Sequence, residues 1–305
     1  MLLNRLILPL LFSMTLLAQE MVLKQSCLQL EGAEYTLLRK LPEPRGFFLV
    51  NTKSLETSIH SFHKPPALIR CQNSSAYQNL RRAVLNEPKS ITNRGLKSGY
   101  KDAYALTVDM CPSSKEGFEL DFFETLIKRK EAFPVSISMT KKWALQHPEE
   151  FEMIKVWDDQ KKLKITWINH GAAHPYKRHI PIEKNFINLK GVDFKKEVLD
   201  NENFLLQEGR VPSVFYRFAG LVSNDEDFNY LVKELGLIPL GSSAWLAKGE
   251  PIQKRSIVLI HGNKNEPLGI KLYLKSKNRS PVIGLPQLFS KGDNTILLIL
   301  LKTPL

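Results

Sequence analysis

Two histidines four residues apart frame the segment His170-Gly171-Ala172-Ala173-His174. On one helical turn or a tight loop, that spacing lets both imidazoles reach a single ion. Joined by a carboxylate, they form a mixed nitrogen–oxygen site. Such a site suits zinc or a similar divalent ion that keeps a position open for water. An ion of this kind polarises a carbonyl and acidifies its bound water, which is the chemistry of amide or ester hydrolysis. Asp109, Arg217 and His261 are the other residues able to take part. Singly, each of the five has a plainer explanation as a surface charge, a turn former or the last residue of a strand. Their placement at successive strand ends argues for a shared role.

Those strand ends come from a regular rhythm after residue 103. The pattern predicts strands at 103–109, 133–139, 164–169, 213–217, 237–240 and 256–260. Helices are expected at 118–130, after Thr140, at 194–207 and at 265–275. Another is expected to open at a Ser223-x-x-Glu226 capping box and to stop at Gly236. Strands alternating with helices imply a parallel sheet, open or closed into a barrel, with chemistry at the C-terminal strand ends. Asp109, His170, His174, Arg217 and His261 all fall there.

Residues 19–100 show little periodicity. A strand over 46–50 and a short amphipathic helix over 77–85 stand out. Residues 6–18 form a nearly unbroken apolar run of about 13 residues, short of the roughly 17 that span a bilayer. With Arg5 before it and polar residues after Ala18, it reads as a cleavable export signal. An uncleaved N-terminal anchor is the other reading, and it would be the chain's only membrane contact. Residues 296–301 read as a buried strand. An oxidising compartment would permit a Cys27–Cys71 bridge and leave Cys111 free.

The composition is that of a globular protein, and three cysteines in 305 residues make no disulfide framework. The net charge of +12 favours anionic partners. The basic residues are dispersed and accompany no nucleic-acid motif, so nucleic acid is not an expected partner.

In order and spacing, residues 104 to about 276 resemble the polysaccharide deacetylase domain (NodB homology, carbohydrate esterase family 4). Thr107-Val108-Asp109-Met110-Cys111-Pro112 resembles the first motif, T-F-D-D-G-P. His170-Gly171-Ala172-Ala173-His174 resembles the H-[ST]-x-x-H metal motif, Phe215-Tyr216-Arg217-Phe218-Ala219 the R-x-P motif, and Leu259-Ile260-His261 the final L-x-H motif. The stretch with Trp143 and His147-Pro148 also matches the family's usual run. The resemblance implies a distorted (β/α) barrel with fewer than eight repeats, preceded by an extension over 19–100.

The family's roles carry over unevenly. His170 and His174 would be metal ligands, Asp109 the general base, Arg217 its charged partner, and His261 the general acid. The family's third ligand is a second Asp, replaced here by Met110. The carboxylate that normally orients the acid is also missing, since Gly241-Ser242-Ser243-Ala244-Trp245 keeps only a tryptophan. Three readings of the lost ligand compete. Asp109 becomes the ligand, Cys111 supplies a thiolate from the same strand face, or metal binding is weak or absent. Asp109 is the preferred ligand at this point. Divergent members of the family carry L-T-x-D-x-C and H-G-A-x-H, and this sequence is similar to that branch. Trp245, Tyr216 and the His179 loop are candidates to line a sugar groove. The resemblance implies an exported, metal-dependent hydrolase, with zinc the expected ion, that removes N-acetyl or O-acetyl groups from a polysaccharide or peptidoglycan-like glycan. The alternative is a deacetylase-fold protein with impaired catalysis that binds glycan or serves as an envelope scaffold.

Overall fold

The computed structural model describes residues 26–290, apart from 43, 65, 114 and 115. The export signal and the strand expected at 296–301 lie outside the described residues. Among those described, no helix is long and apolar enough to cross a membrane.

The chain opens with a four-stranded antiparallel sheet in the order β1 (Cys27–Leu30), β2 (Ala33–Lys40), β3 (Phe47–Asn51), β4 (Thr57–His60). Only β3 was legible as a strand. The others alternate imperfectly, and β2 carries a register shift between Leu37 and Arg39 that breaks its period. Cys27 is bridged to Cys71, and Cys111 is free. Helix α1 (Ala76–Leu85) follows, with the Ser75 hydroxyl accepting from the Gln78 N–H as its N-cap. Phe48, Val50, Tyr77 and Leu80 share one buried cluster with Phe215, Phe228 and Leu231. The extension is therefore packed onto one side of the following domain and shares its core.

That domain is built on seven parallel strands. In chain order they are β5 (Ala105–Met110), β6 (Phe133–Met139), β7 (Leu163–Asn169), β8 (Phe215–Tyr216), β9 (Ile238–Pro239), β10 (Ala244–Trp245) and β11 (Ile257–His261). Across the sheet the order is β10-β11-β5-β6-β7-β8-β9. The helices are α2 (Leu120–Ile127), α3 (Lys141–Gln146), α4 (Pro148–Asp159), α5 (Phe194–Gln207), α6 (Asp225–Lys233), α7 (Pro267–Lys275) and α8 (Leu285–Phe289). Seven parallel strands with connecting helices make the distorted (β/α) barrel that the resemblance implies. β5 is buried at all six positions and β6 at six of seven, as expected of parallel strands covered on both faces. A second buried cluster, with Phe122, Phe123, Trp143 and Ile154, fills the space between the sheet and helices α2 to α4.

Two local expectations are corrected. The cap of α6 is Asn224, not Ser223: its side chain accepts from the Asp227 N–H. Asn is at least as good a cap as Ser, and here it sits one residue nearer the helix. The helix also ends at Lys233, although Gly236 does adopt a positive φ of 68°.

Candidate active site

The sheet register brings the functional positions into one layer. His261 pairs with Asp109, which pairs with Ser138, and Met139 pairs with Asn169, which pairs with Tyr216. Successive strand side chains point to opposite faces. Leu106, Val108 and Met110 accordingly enter the helix-side core. Thr107, Asp109 and Cys111 take the other face. Met110 Sδ lies beside Gly262, packed so closely that a Cβ there would come within 2.7 Å of it. The residue that departs from the family motif is thus a core residue.

Arg217 is fully buried and anchors the site from β8. Its guanidinium donates to Gly241 O at 3.1 Å and to Thr107 Oγ1 at 2.8 Å, and its Nε lies 3.9 Å from Asp109 Oδ1. Burial opposes the charged form of Asp109. Arg217, His170 and His261 outweigh that effect and hold the carboxyl below its ordinary range.

His170 follows the last residue of β7 and is buried. Its Nδ1 pairs with Arg217 O at 2.8 Å. A carbonyl can only accept, so Nδ1 carries the proton and Nε2 is left to act as a ligand. Nε2 lies 3.4 Å from Cys111 Sγ and 3.8 Å from Asp109 Oδ2. Burial works against protonation of His170, but Cys111 and Asp109 raise its pKa above the ordinary value.

The turn from His170 to His174 is held in an uncommon shape. Gly171 has φ 88° and His174 has φ 48°. The left-handed region is uncommon for a side-chain-bearing residue and costs on the order of 1–3 kcal/mol. Glu197 of α5 secures it. Its carboxylate accepts the backbone N–H of Ala173 at 2.9 Å and of His174 at 3.1 Å. Asn169 supports the same turn by accepting the Gly171 N–H, and Asn201 of α5 donates to Asn169 and to Met139 O. The result sets the His174 ring 4.8 Å from the His170 ring, edge-on to Phe186. His174 Nε2 is buried with no hydrogen-bond partner.

Cys111 sits at the centre. Ligand atoms of Cys111, His170 and His174 all lie within 4.8 Å of one another. Burial would push the thiol up, yet His174, His170 and His261 bring it well below its ordinary value. The Asn263 amide donates to the Cys111 carbonyl and fixes the backbone there. An unpartnered imidazole nitrogen beside a thiol and a second oriented imidazole is a donor set that fits a divalent ion.

His261 closes the site from β11. Its Nδ1 lies 2.9 Å from Glu266 Oε2, so the histidine has a carboxylate beside it. The expectation of a His261 without a carboxylate beside it is corrected: Glu266, five residues onward at the start of α7, supplies one. Trp245 Nε1 donates to the same carboxylate at 2.7 Å. Burial opposes charging of His261, while Cys111, Glu266 and Asp109 lift its pKa well above the ordinary value.

The three groove candidates are placed differently. Trp245 is half-buried, with Lys248 Nζ 3.5 Å over its ring and His261 6.1 Å away. Tyr216 is fully buried between Phe194 and Phe218 and offers the site no exposed face. His179 is exposed, on the loop laced by Asn185 to Lys177 and Ile180. Glu197, Asn201, Asn263 and Glu266 were not foreseen. Only Glu266 left a trace, as an acidic residue one short turn after His261.

No protein-family model matches the chain. Solved structures do resemble it. One is a peptidoglycan N-acetylglucosamine deacetylase, at 16% identity over 64% of this chain and 92% of that one, with a TM-score of 0.46. A family 4 carbohydrate esterase from Bacillus anthracis matches at 19% identity over 70% and 90%, with a TM-score of 0.45. A CE4 family pseudoenzyme from the same organism matches at 12% identity over 70% and 80%, with a TM-score of 0.44.

Proposed function

We propose that this chain is an exported metal-dependent hydrolase that removes acetyl groups from an N- or O-acetylated glycan. One observation carries the reading. Oriented His170 and unpartnered His174 converge within one layer on a carboxylate held charged by Arg217 and on a third histidine, His261, backed by Glu266. The order of these residues along the chain is also that of the deacetylase motifs.

His170 and His174 would hold the ion, with a third donor from the end of β5, where Asp109 and Cys111 both face the site. When bound, the ion supplies polarisation of the acetyl carbonyl and acidification of a water. Asp109 Oδ2 takes a proton from the attacking water, while Arg217 keeps that carboxylate ready to do so. His261, with Glu266 on Nδ1, gives the proton on its other nitrogen to the leaving amine or alkoxide. Glu266 stabilises the charged imidazole. Trp245 holds Glu266 in turn. Export agrees with the Cys27–Cys71 bridge, since disulfides persist in oxidising compartments. Glycan partners in the envelope are also anionic enough to suit the chain's +12 charge.

The test is metal content and acetate release from N-acetylated oligosaccharides. The wild-type protein should carry about one divalent ion per chain and release acetate. The His170→Ala protein should do neither, and unchanged metal content and activity in it would refute the reading. A catalytically impaired, glycan-binding role is the second reading, favoured by the side chain of Met110 standing in the core where the family places a ligand. Acetate release that depends on added metal and on His261 would exclude it.

A further inference from the structure

We propose that the third metal ligand is the Cys111 thiolate rather than the Asp109 carboxylate, which makes this a Cys-His-His site selective for thiophilic ions. The proposal rests on the metal-dependent reading above and specifies its ligand set.

Four observations carry it. Cys111 Sγ stands 3.4 Å from His170 Nε2. A tetrahedral zinc with its usual Zn–S and Zn–N bond lengths separates a sulfur and a nitrogen donor by roughly 3.5 Å, so these two atoms are already at bridging distance. Next, the Arg217 carbonyl on His170 Nδ1 leaves the Nε2 lone pair on the side of the sulfur. Then, His174 Nε2 is buried without a hydrogen-bond partner, within 4.8 Å of the other two donors. Last, the close donor group is Cys111, His170 and His174 without Asp109, whose Oδ2 stands 3.8 Å from His170 Nε2, farther than the sulfur, and whose Oδ1 is turned toward Arg217. Asn263 donates to the Cys111 carbonyl and so fixes the backbone that carries the thiol.

The exchange has a chemical logic. A thiolate supplies the same single negative charge as the missing carboxylate. It is a softer donor, so the site should prefer zinc or cobalt to magnesium or manganese. With sulfur on the metal, Asp109 need not serve as both ligand and base. The swap of the second motif carboxylate for Met110 and the appearance of Cys111 one residue later then form a single change. The donor moves one residue along the chain, to Cys111 just past the end of β5, where its sulfur faces His170.

The test uses the full chain loaded with cobalt(II) and read by absorption spectroscopy. The wild-type protein should show a thiolate-to-cobalt charge-transfer band in the near ultraviolet. Cys111→Ser should lose that band, and Cys111→Asp should bind cobalt without it. Asp109→Asn should keep it. Far-ultraviolet circular dichroism of each variant controls for folding. Cobalt bound to the wild type without the band, or a band that survives Cys111→Ser, would overturn the ligand assignment. A wild-type chain that binds no cobalt or zinc, or a His170→Ala chain with full metal content, would overturn the metal reading itself.

Discussion

The Asp109–Arg217–His170 arm and the His261–Glu266 arm meet at the same strand-end layer but are held by different means. In the first, the side chains of Asp109 and Arg217 are 4% and 0% exposed. Arg217 is held there by Gly241 O and the buried Thr107 hydroxyl, and His170 by Arg217 O, while Asp109 Oδ1 and Arg217 Nε face each other at 3.9 Å without a hydrogen bond. In the second, His261 and Glu266 are 11% and 34% exposed, and one carboxylate from a helix start holds both the histidine and Trp245. The first arm is part of the barrel's core, so its geometry and the fold stand or fall together. The second is attached to the rim, so changes there are expected to leave the fold intact.

That contrast sets the scale of four expected outcomes. Arg217→Ala strikes the buried arm and leaves the Asp109 charge without its partner in a dry environment. It should lower unfolding free energy by about 3–5 kcal/mol, read by denaturant titration. A loss below about 1 kcal/mol would mean that water reaches this arm. His261→Ala strikes the rim arm. Acetate release should fall by roughly 10²–10⁴-fold, with metal content and unfolding midpoint unchanged. A drop in stability comparable to that of Arg217→Ala would erase the distinction between the arms.

Glu197→Ala lies between these cases. It frees the backbone N–H groups of Ala173 and His174 and loosens the strained turn that presents His174. Metal affinity should weaken by about 10–100-fold, measured by competition with a chelator. Unchanged affinity would show that the turn holds its shape without Glu197. Glu266→Gln keeps the size of the side chain but removes its charge. It should slow acetate release by about tenfold, a step near 1.4 kcal/mol, with metal affinity intact. An effect on metal binding would tie the rim arm to the ligand set.

How much of this was legible follows the same division. Long strands buried on both faces, such as Phe133–Met139, and helix 194–207 announced themselves through pattern. Their ends located Asp109, His170, His174, Arg217 and His261. The supports did not announce themselves. Asn201 sits mid-helix and Glu197 in the first turn of α5, where their residue types ordinarily mean a solvent face or a helix-start charge, and only the packing of α5 on the turn after β7 gives them partners. Glu266 reads as a helix-start acid and becomes a partner of His261 only because the loop from β11 folds back. The four-stranded sheet before residue 61 was largely illegible. Three of its strands have five residues or fewer, and the longer β2 has an irregular burial pattern. Cys111 was visible as a residue on the right face, but its place between two imidazoles depends on how the turn at Gly171 directs His174.

The central claim is that this layer of side chains catalyses metal-dependent deacetylation. It is tested most directly by acetate release from an N-acetylated oligosaccharide with metal-stripped protein, before and after zinc is restored, in wild type and His170→Ala. The account predicts no release from the stripped protein, recovery with zinc in the wild type, and no recovery in His170→Ala. Equal release from stripped and restored protein, or recovery in His170→Ala, would contradict it.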